Sequence, residues 1–126
     1  MAAIAIALLF VHFEEEPFPP DFVDVKAEHV ARELGSAEAF SKAIAIAPHA
    51  SGDQMDGFTL LEVKPDSVAD RIGLKSGDVI MGVGGIEMDA PEAPFMAYDQ
   101  LKGLKQVDVK MMRNGQVHWF VVRIVE

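Results

Sequence analysis

The sequence predicts an α+β fold, a β-rich body with short helices preceded by a helical segment. Three observations carry that expectation. From Ala43 to Val125, short apolar runs alternate with Gly, Pro and Asn, the punctuation of strands joined by tight turns. Two intervening stretches, Pro65–Gly73 and Pro91–Gly103, carry helix start and stop signals. Asn114-Gly115 between two β runs is the strongest short hairpin signal.

The opening run Met1–Phe13 is apolar apart from His12. It falls short of the roughly 20 residues that a membrane-crossing helix needs, and no Lys or Arg precedes it as in a signal peptide. It reads as the distal part of a membrane anchor, as a weak uncleaved anchor, or as a segment packed on the domain. Glu14–Glu16 and the prolines at 17, 19 and 20 predict a stiff acidic linker over 14–20. An apolar run, a linker and a folded module is the layout of a tethered domain. The absence of basic residues beside the run fits the non-cytoplasmic side of a membrane.

Over 21–42 the period is helical. Val23, Ala27, Val30, Ala31 and Leu34 share one face, with Asp24 as N-cap and Gly35 as terminator. Ser36 caps a second short helix through Lys42. His29 and Glu33 stand at i, i+4, but without a third ligand they read as a salt bridge rather than half a metal site.

The remaining elements, 43–126, form the main domain. Ala43–Ala47 is a strand ended by Pro48, and Gly57 is the turn residue opening the strand Gly57–Val63. Asp66 or Ser67 caps a helix over Val68–Ile72, closed by Gly73. Strands Val79–Val83 and Ile86–Met88 join through Gly84-Gly85. The helix Pro91–Lys102 tolerates Pro94 in its first turn, and Gly103 ends it. Val107–Met111 and Val117–Val125 flank the Asn-Gly turn.

Lys and Arg number 11 against 20 Asp and Glu, a formal charge of −9. Phosphate neutralisation needs a basic face, so nucleic acid is not an expected partner. Without cysteine, thiolate chemistry, disulfides and Cys-based metal centres are excluded. No GxSxG elbow occurs, and every serine sits where caps and turns want one. The four histidines lack metal spacing, and Asp53 with Asp56 read as a solvated loop. Gly82-Val83-Gly84-Gly85 lacks phosphate-binding spacing. The expectation is a non-enzymatic protein with no catalytic residue, metal or cofactor.

The stretch Gly57–Ile80 resembles a bacterial PDZ domain in four features. These are a strand ending Val63-Lys64-Pro65, a Ser67-capped helix, Gly73-Leu74, and Gly77-Asp78-Val79-Ile80. The resemblance covers Ala43–Val125 and departs where Gly84-Gly85 replaces the family's usual Asn-Gly. It implies a partly open β-barrel or sandwich of five to six strands with two short helices.

Upstream, two short helices and a Pro-ended strand precede Gly57-Phe58. With Pro91-Glu92, Tyr98, Leu101-Lys102 and Arg113-Asn114-Gly115, this layout resembles the C-terminal PDZ region of GspC-type proteins of type II secretion systems. The family's own homology region between anchor and PDZ domain has no counterpart here. The resemblance implies a module at the periplasmic face of the inner membrane, tethered through 1–13, whose partner is a secretion component or exoprotein. A partner peptide would add as a strand along Ala43, Ile44, Ala45, Ile46 and Ala47, facing Phe95, Asp99 and Lys102. Backbone amides near Lys42–Ile44 would take a terminal carboxylate. The competing implication is the regulatory PDZ module of an HtrA, tail-specific or site-2 protease, for whose catalytic half 126 residues leave no room.

Overall fold

The computed structural model describes residues 17–126; Met1–Phe13 and Glu14–Glu16, with the anchor expectation, lie outside the described residues. Within them run β1 (Phe22–Lys26), α1 (Ala27–Leu34), α2 (Ala37–Ala43), β2 (Ile46–Ser51) and β3 (Gln54–Leu60). Then follow α3 (Val68–Arg71), β4 (Val79–Val83), β5 (Ile86–Glu87), α4 (Ala93–Leu101), β6 (Gln106–Arg113) and β7 (Gln116–Val125). The strands form one sheet in the order β1-β7-β6-β4-β3-β2, with β5 paired to β4 off that path. The architecture is the expected α+β, with seven strands among the described residues rather than five or six.

The added strand is β1, where a helical start was expected. Phe22–Lys26 pairs in parallel with β7, from Phe22↔Val121 to Lys26↔Val125. The segment alternates as well as it turns: Val25 is buried in the core while Phe22 faces out, and β-branched valines suit a pleated surface. Asp24 consequently caps no helix. Its carboxylate accepts from Arg123 Nε at 2.7 Å across the strand pair, and Lys26 occupies the cap position of α1 with no side-chain bond.

The second difference is at β2. The helix α2 continues through Ala43, and the strand starts at Ile46 and runs past Pro48 to Ser51. Leu61 N donates to Ala45 O at 2.8 Å, and the register continues Ile46↔Leu60, Ala47↔Thr59, Pro48↔Phe58. In an antiparallel ladder, alternate residues face the neighbour. Ala45 and Ala47 therefore bond towards β3, while the backbone groups of Ile46 and Pro48 face outward. Since β2 is an edge strand, the proline's missing N–H removes no ladder bond.

Gly57 lies inside β3 rather than opening it. A Cβ there would stand 2.6 Å from Val79 Cγ1 and 2.7 Å from the Ile80 carbonyl oxygen, so glycine permits the close crossing of β3 and β4. The β6–β7 turn has positive φ at both Asn114 (53°) and Gly115 (78°), as a two-residue hairpin of this hand requires. Gly84 and Gly85 meet the same requirement between β4 and β5. The expected caps form: Ser36 Oγ accepts from Ala39 N, and Ser67 Oγ from Asp70 N.

Two buried clusters make the core. One gathers Val25, Ile72, Leu74, Val109, Met111, Phe120 and Val122; the other gathers Phe58, Met88, Ala93 and Ala97. Ile80 packs against both. Behind the first cluster lies an ion pair with Arg113 5% and Asp78 2% exposed. Arg113 grips the carboxylate with two nitrogens, Nε to Oδ1 at 2.8 Å and Nη2 to Oδ2 at 2.6 Å, a bidentate fork. Lys75 N, Gly73 O and Pro17 O complete the hydrogen bonding around the pair. Through that last contact, residues 17–20 are strapped to the domain. Phe18 stacks on His118 at 4.8 Å, Pro19 is buried, and His118 Nε2 donates to Pro19 O at 2.7 Å.

Candidate functional site: an apolar cleft beside the open edge

Between the two core clusters the chain leaves a cleft of about 590 Å³. Its walls come from α1 and α2, from Ile44 and Ile46, from the sheet residues Leu60, Ile80 and Val109, and from α4. On α4 the cleft-facing residues are Pro94, Ala97, Tyr98 and Leu101, the spacing of one helical face. Phe40 of α2 reaches across to that helix. Its ring stacks on Tyr98 at 4.6 Å and meets Phe95 edge-on at 5.6 Å. The helix pair α1–α2 thereby walls the space between α4 and β2.

The size of the cleft matters. Native cores hold few voids larger than one water. The cleft is only partly enclosed, which lets water into its mouth. Its deeper lining offers water almost nothing to hydrogen-bond.

The charged residues lining it are Glu33, Lys102 and Lys105. Glu33 is engaged: its Oε2 accepts from Val68 N at 2.8 Å, tying α1 to α3, and lies 3.5 Å from His29 Nε2. Lys102 and Lys105 pair with the exposed carboxylates of Asp99 (3.2 Å) and Glu126 (3.9 Å). Exposed pairs of this kind are weak and exchange readily.

Of the residues expected along a peptide groove, Ala43, Ile44, Ile46 and Lys102 line the cleft. Lys42 points elsewhere, pairing with Glu38 at 3.0 Å. Ala45 and Ala47 bond towards β3. Phe95 is half exposed above Phe40, and Asp99 holds Lys102. Sequence reasoning did not place Val30, Leu34, Phe40 and Ala97 here. Val30 and Leu34 were legible as an apolar helical face without an assigned partner, and that unassigned face was the available signal.

A second polar cluster sits on the β2–β3 hairpin, where Asp56 is a strand residue and not part of a solvated loop. Its carboxylate accepts from His49 Nδ1 and from Ser51 Oγ, both at 2.6 Å. The His49 hydrogen bond, and after it the Ser51 hydroxyl, hold the Asp56 carboxyl below its usual range. Histidine and serine both bond the aspartate and not each other, so this is no nucleophile–base pair. Among the described residues, no group of three His, Asp or Glu side chains is placed to hold a metal ion.

No family model matches the chain. Two curated bacterial proteins, each named probable periplasmic serine endoprotease DegP-like, share sequence with it. That of Marinomonas sp. (strain MWYL1) is 37% identical over 65 residues, and that of Halomonas elongata 26% over 71 residues. These stretches are 51% and 56% of this chain but only 14% and 15% of those proteins. Two solved structures share the fold. One is the PDZ domain of the pullulanase C protein of the type II secretion system from Klebsiella pneumoniae, in complex with fatty acid. It has a TM-score of 0.52 at 23% identity and covers 75% of this chain and 99% of that one. The other is the PDZ domain of EpsC from Vibrio cholerae, with a TM-score of 0.57 at 18% identity, covering 77% and 90%. Sheet order, glycine turns and capped helices thus assemble a PDZ fold, one resembling the PDZ domains of GspC-type secretion proteins.

Proposed function

We propose that the chain is a non-enzymatic interaction module of a type II secretion machine, receiving a partner segment as an added strand on β2. The observation that carries this reading is the open edge. Ile46 presents its N–H and C=O outward, and Pro48 its C=O, and Ile46 lines the same cleft as the helix α4. Main-chain bonds to such an edge supply affinity, and the adjoining apolar cleft selects side chains. Ile44 N already donates to Phe40 O at 3.3 Å, so the edge suits an internal extended segment better than a free terminal carboxylate. The likeness to PDZ domains of secretion proteins supports the machine, and the periplasmic naming of the curated relatives supports the compartment. In this reading Met1–Phe13 is the tether, residues 14–20 lead to the domain, and 43–126 is the interacting unit, with 21–42 its helical and strand lead-in.

A second reading has its own support. The 37% identity to a DegP-like protease over 65 residues favours a regulatory PDZ module acting on protease substrates. A pull-down from periplasmic extract with the full chain separates the two. Capture of secretion components or exoproteins supports the first, and specific capture of a protease in their place overturns it. Ile46→Pro removes the outward-facing donor together with the Ile side chain and should abolish capture. Ile46→Ala, which removes the side chain and keeps the donor, should only weaken it. The circular dichroism spectrum should stay unchanged in both. Undiminished capture would remove β2 as the receiving edge.

A further inference from the structure

We infer that the outer face of the sheet over β1, β7 and β6 docks an amphipathic helix of a partner protein, one whose apolar stripe is bordered by Asp and Glu. These strands stand at the opposite end of the sheet from β2, so the inference does not depend on strand addition.

Alternation builds the face. Along β7, Phe120 and Val122 point into the core while Val117, Trp119 and Arg123 point out. The register sets Lys110 of β6 opposite Trp119, Met112 opposite Val117, and Phe22 of β1 opposite Val121. Phe22 and Trp119 are each 56% exposed and Val117 50%, so an apolar row runs along a face left uncovered among the described residues. Single exposed apolar residues are ordinary, whereas a contiguous patch of a few hundred Å² marks an interaction site. Both aromatic rings are already held in place. Lys110 Nζ lies 5.2 Å from the centre of the Trp119 ring, and Arg123 Cζ lies 5.1 Å from that of Phe22. Asp24 fixes Arg123 in turn at 2.7 Å. Rings so propped lose little freedom on binding, and Trp and Arg are the residues that most often dominate interface energetics.

Charge and size select the occupant. The face carries Lys26, Lys110 and Arg123 against Asp24 and Asp108, a net +1 on a chain of −9 whose other residues therefore sum to −10. Lys110 borders the apolar row along β6, and Arg123 with Lys26 closes its end towards Val125. An acidic partner is drawn to this patch and repelled by the rest, which fixes where it lands. An anionic bilayer, being broad, meets the surrounding negative charge as well. Three strands about 4.8 Å apart make a strip about 10 Å wide, the diameter of one helix. With β7 about 34 Å long, the strip covers roughly 350 Å². That is less than half of the ~800 Å² each partner of a stable dimer contributes, so a helix fits it better than a second copy.

Trp119 is the only tryptophan of the chain, so its emission reports occupancy of the face directly. The full chain is titrated with a Trp-free synthetic helix of about 20 residues, roughly 30 Å long, whose leucine stripe is bordered by glutamates. A counterpart with the same stripe bordered by lysines is the comparison. A saturable blue shift is expected with the first, and binding about tenfold weaker or more with the second. Lys110→Glu should weaken the acidic helix about fivefold and Phe22→Ser about tenfold, both with the circular dichroism spectrum unchanged. Ile46→Pro, at the other end of the sheet, should leave this binding as it is. No shift, equal affinity for the two helices, or binding indifferent to Lys110→Glu would each overturn the inference. So would a shift produced by phosphatidylglycerol vesicles and by neither helix. Emission already blue in the chain alone would overturn it too, by showing the face covered by a second copy or by the chain's own N-terminal segment. Should Phe22→Ser fail to fold, the helix pair and Lys110→Glu decide.

Discussion

Two regions of the molecule's interior are finished in opposite ways. Behind the first core cluster, Asp78 and Arg113 are almost wholly buried, and the fork between them is completed by hydrogen bonds with Lys75 N, Gly73 O and Pro17 O. In the cleft, α1, α2 and α4 surround about 590 Å³ with mostly apolar side chains that leave the space between them unfilled. The first region is saturated and intolerant of change. The second is under-filled and receptive. The contrast separates structure from function: the closed side holds the fold while the open side is left for something else.

Breaking the saturated side gives the largest expected effect. Arg113→Ala strands a buried carboxylate and should cost about 3–5 kcal/mol in urea denaturation, with release of the Pro17 strap. Next comes Gly57→Ala, whose Cβ would meet Val79 and the Ile80 carbonyl below contact distance. Backbone cannot move aside cheaply, so a loss of about 1–3 kcal/mol is expected in the same assay.

The sign should then reverse. Ala69→Leu on the cleft wall adds apolar bulk where there is room and should stabilise the domain by about 1 kcal/mol. Destabilisation of the size seen for Gly57→Ala would show that the cleft is no void.

The smallest effect is a pH dependence at the hairpin, away from both regions. The folded Asp56 carboxyl lies below its unfolded value, chiefly through His49. Its contribution is therefore complete above the unfolded pKa and lost as pH falls through the folded one. Asp56→Asn should flatten that acid limb of the stability profile, and leave the fluorescence-monitored midpoint above it only slightly lower.

Much of the fold was legible because local chemistry decides it. Ser36 and Ser67 cap as their positions suggest, and Asn114-Gly115 turns as its φ demands. The failures are places where a distant partner decides. Phe22–Lys26 satisfies both periods locally, and only the free edge of β7, a hundred residues on, makes it a strand. The start of β2 moved because Phe40 accepts the Ile44 N–H and carries the helix further. The cleft was half legible for the same reason. Ile44, Ile46 and Lys102 follow from position along an edge and a helix, whereas Phe40 and Val30 reach it only through tertiary packing.

The strap at Pro17–Pro20 also has a mechanical consequence. Tension applied upstream of Pro17 does not peel the domain open residue by residue. It enters through the Arg113 and His118 contacts and then along β1, which runs parallel to the C-terminal strand β7 over five register pairs. A load directed along that strand shears all five together instead of unzipping them singly. The receiving edge on β2 stands at the opposite end of the sheet from β1 and lies off that line of force. A domain so attached can be pulled from its N-terminal side without that edge being the first part to yield.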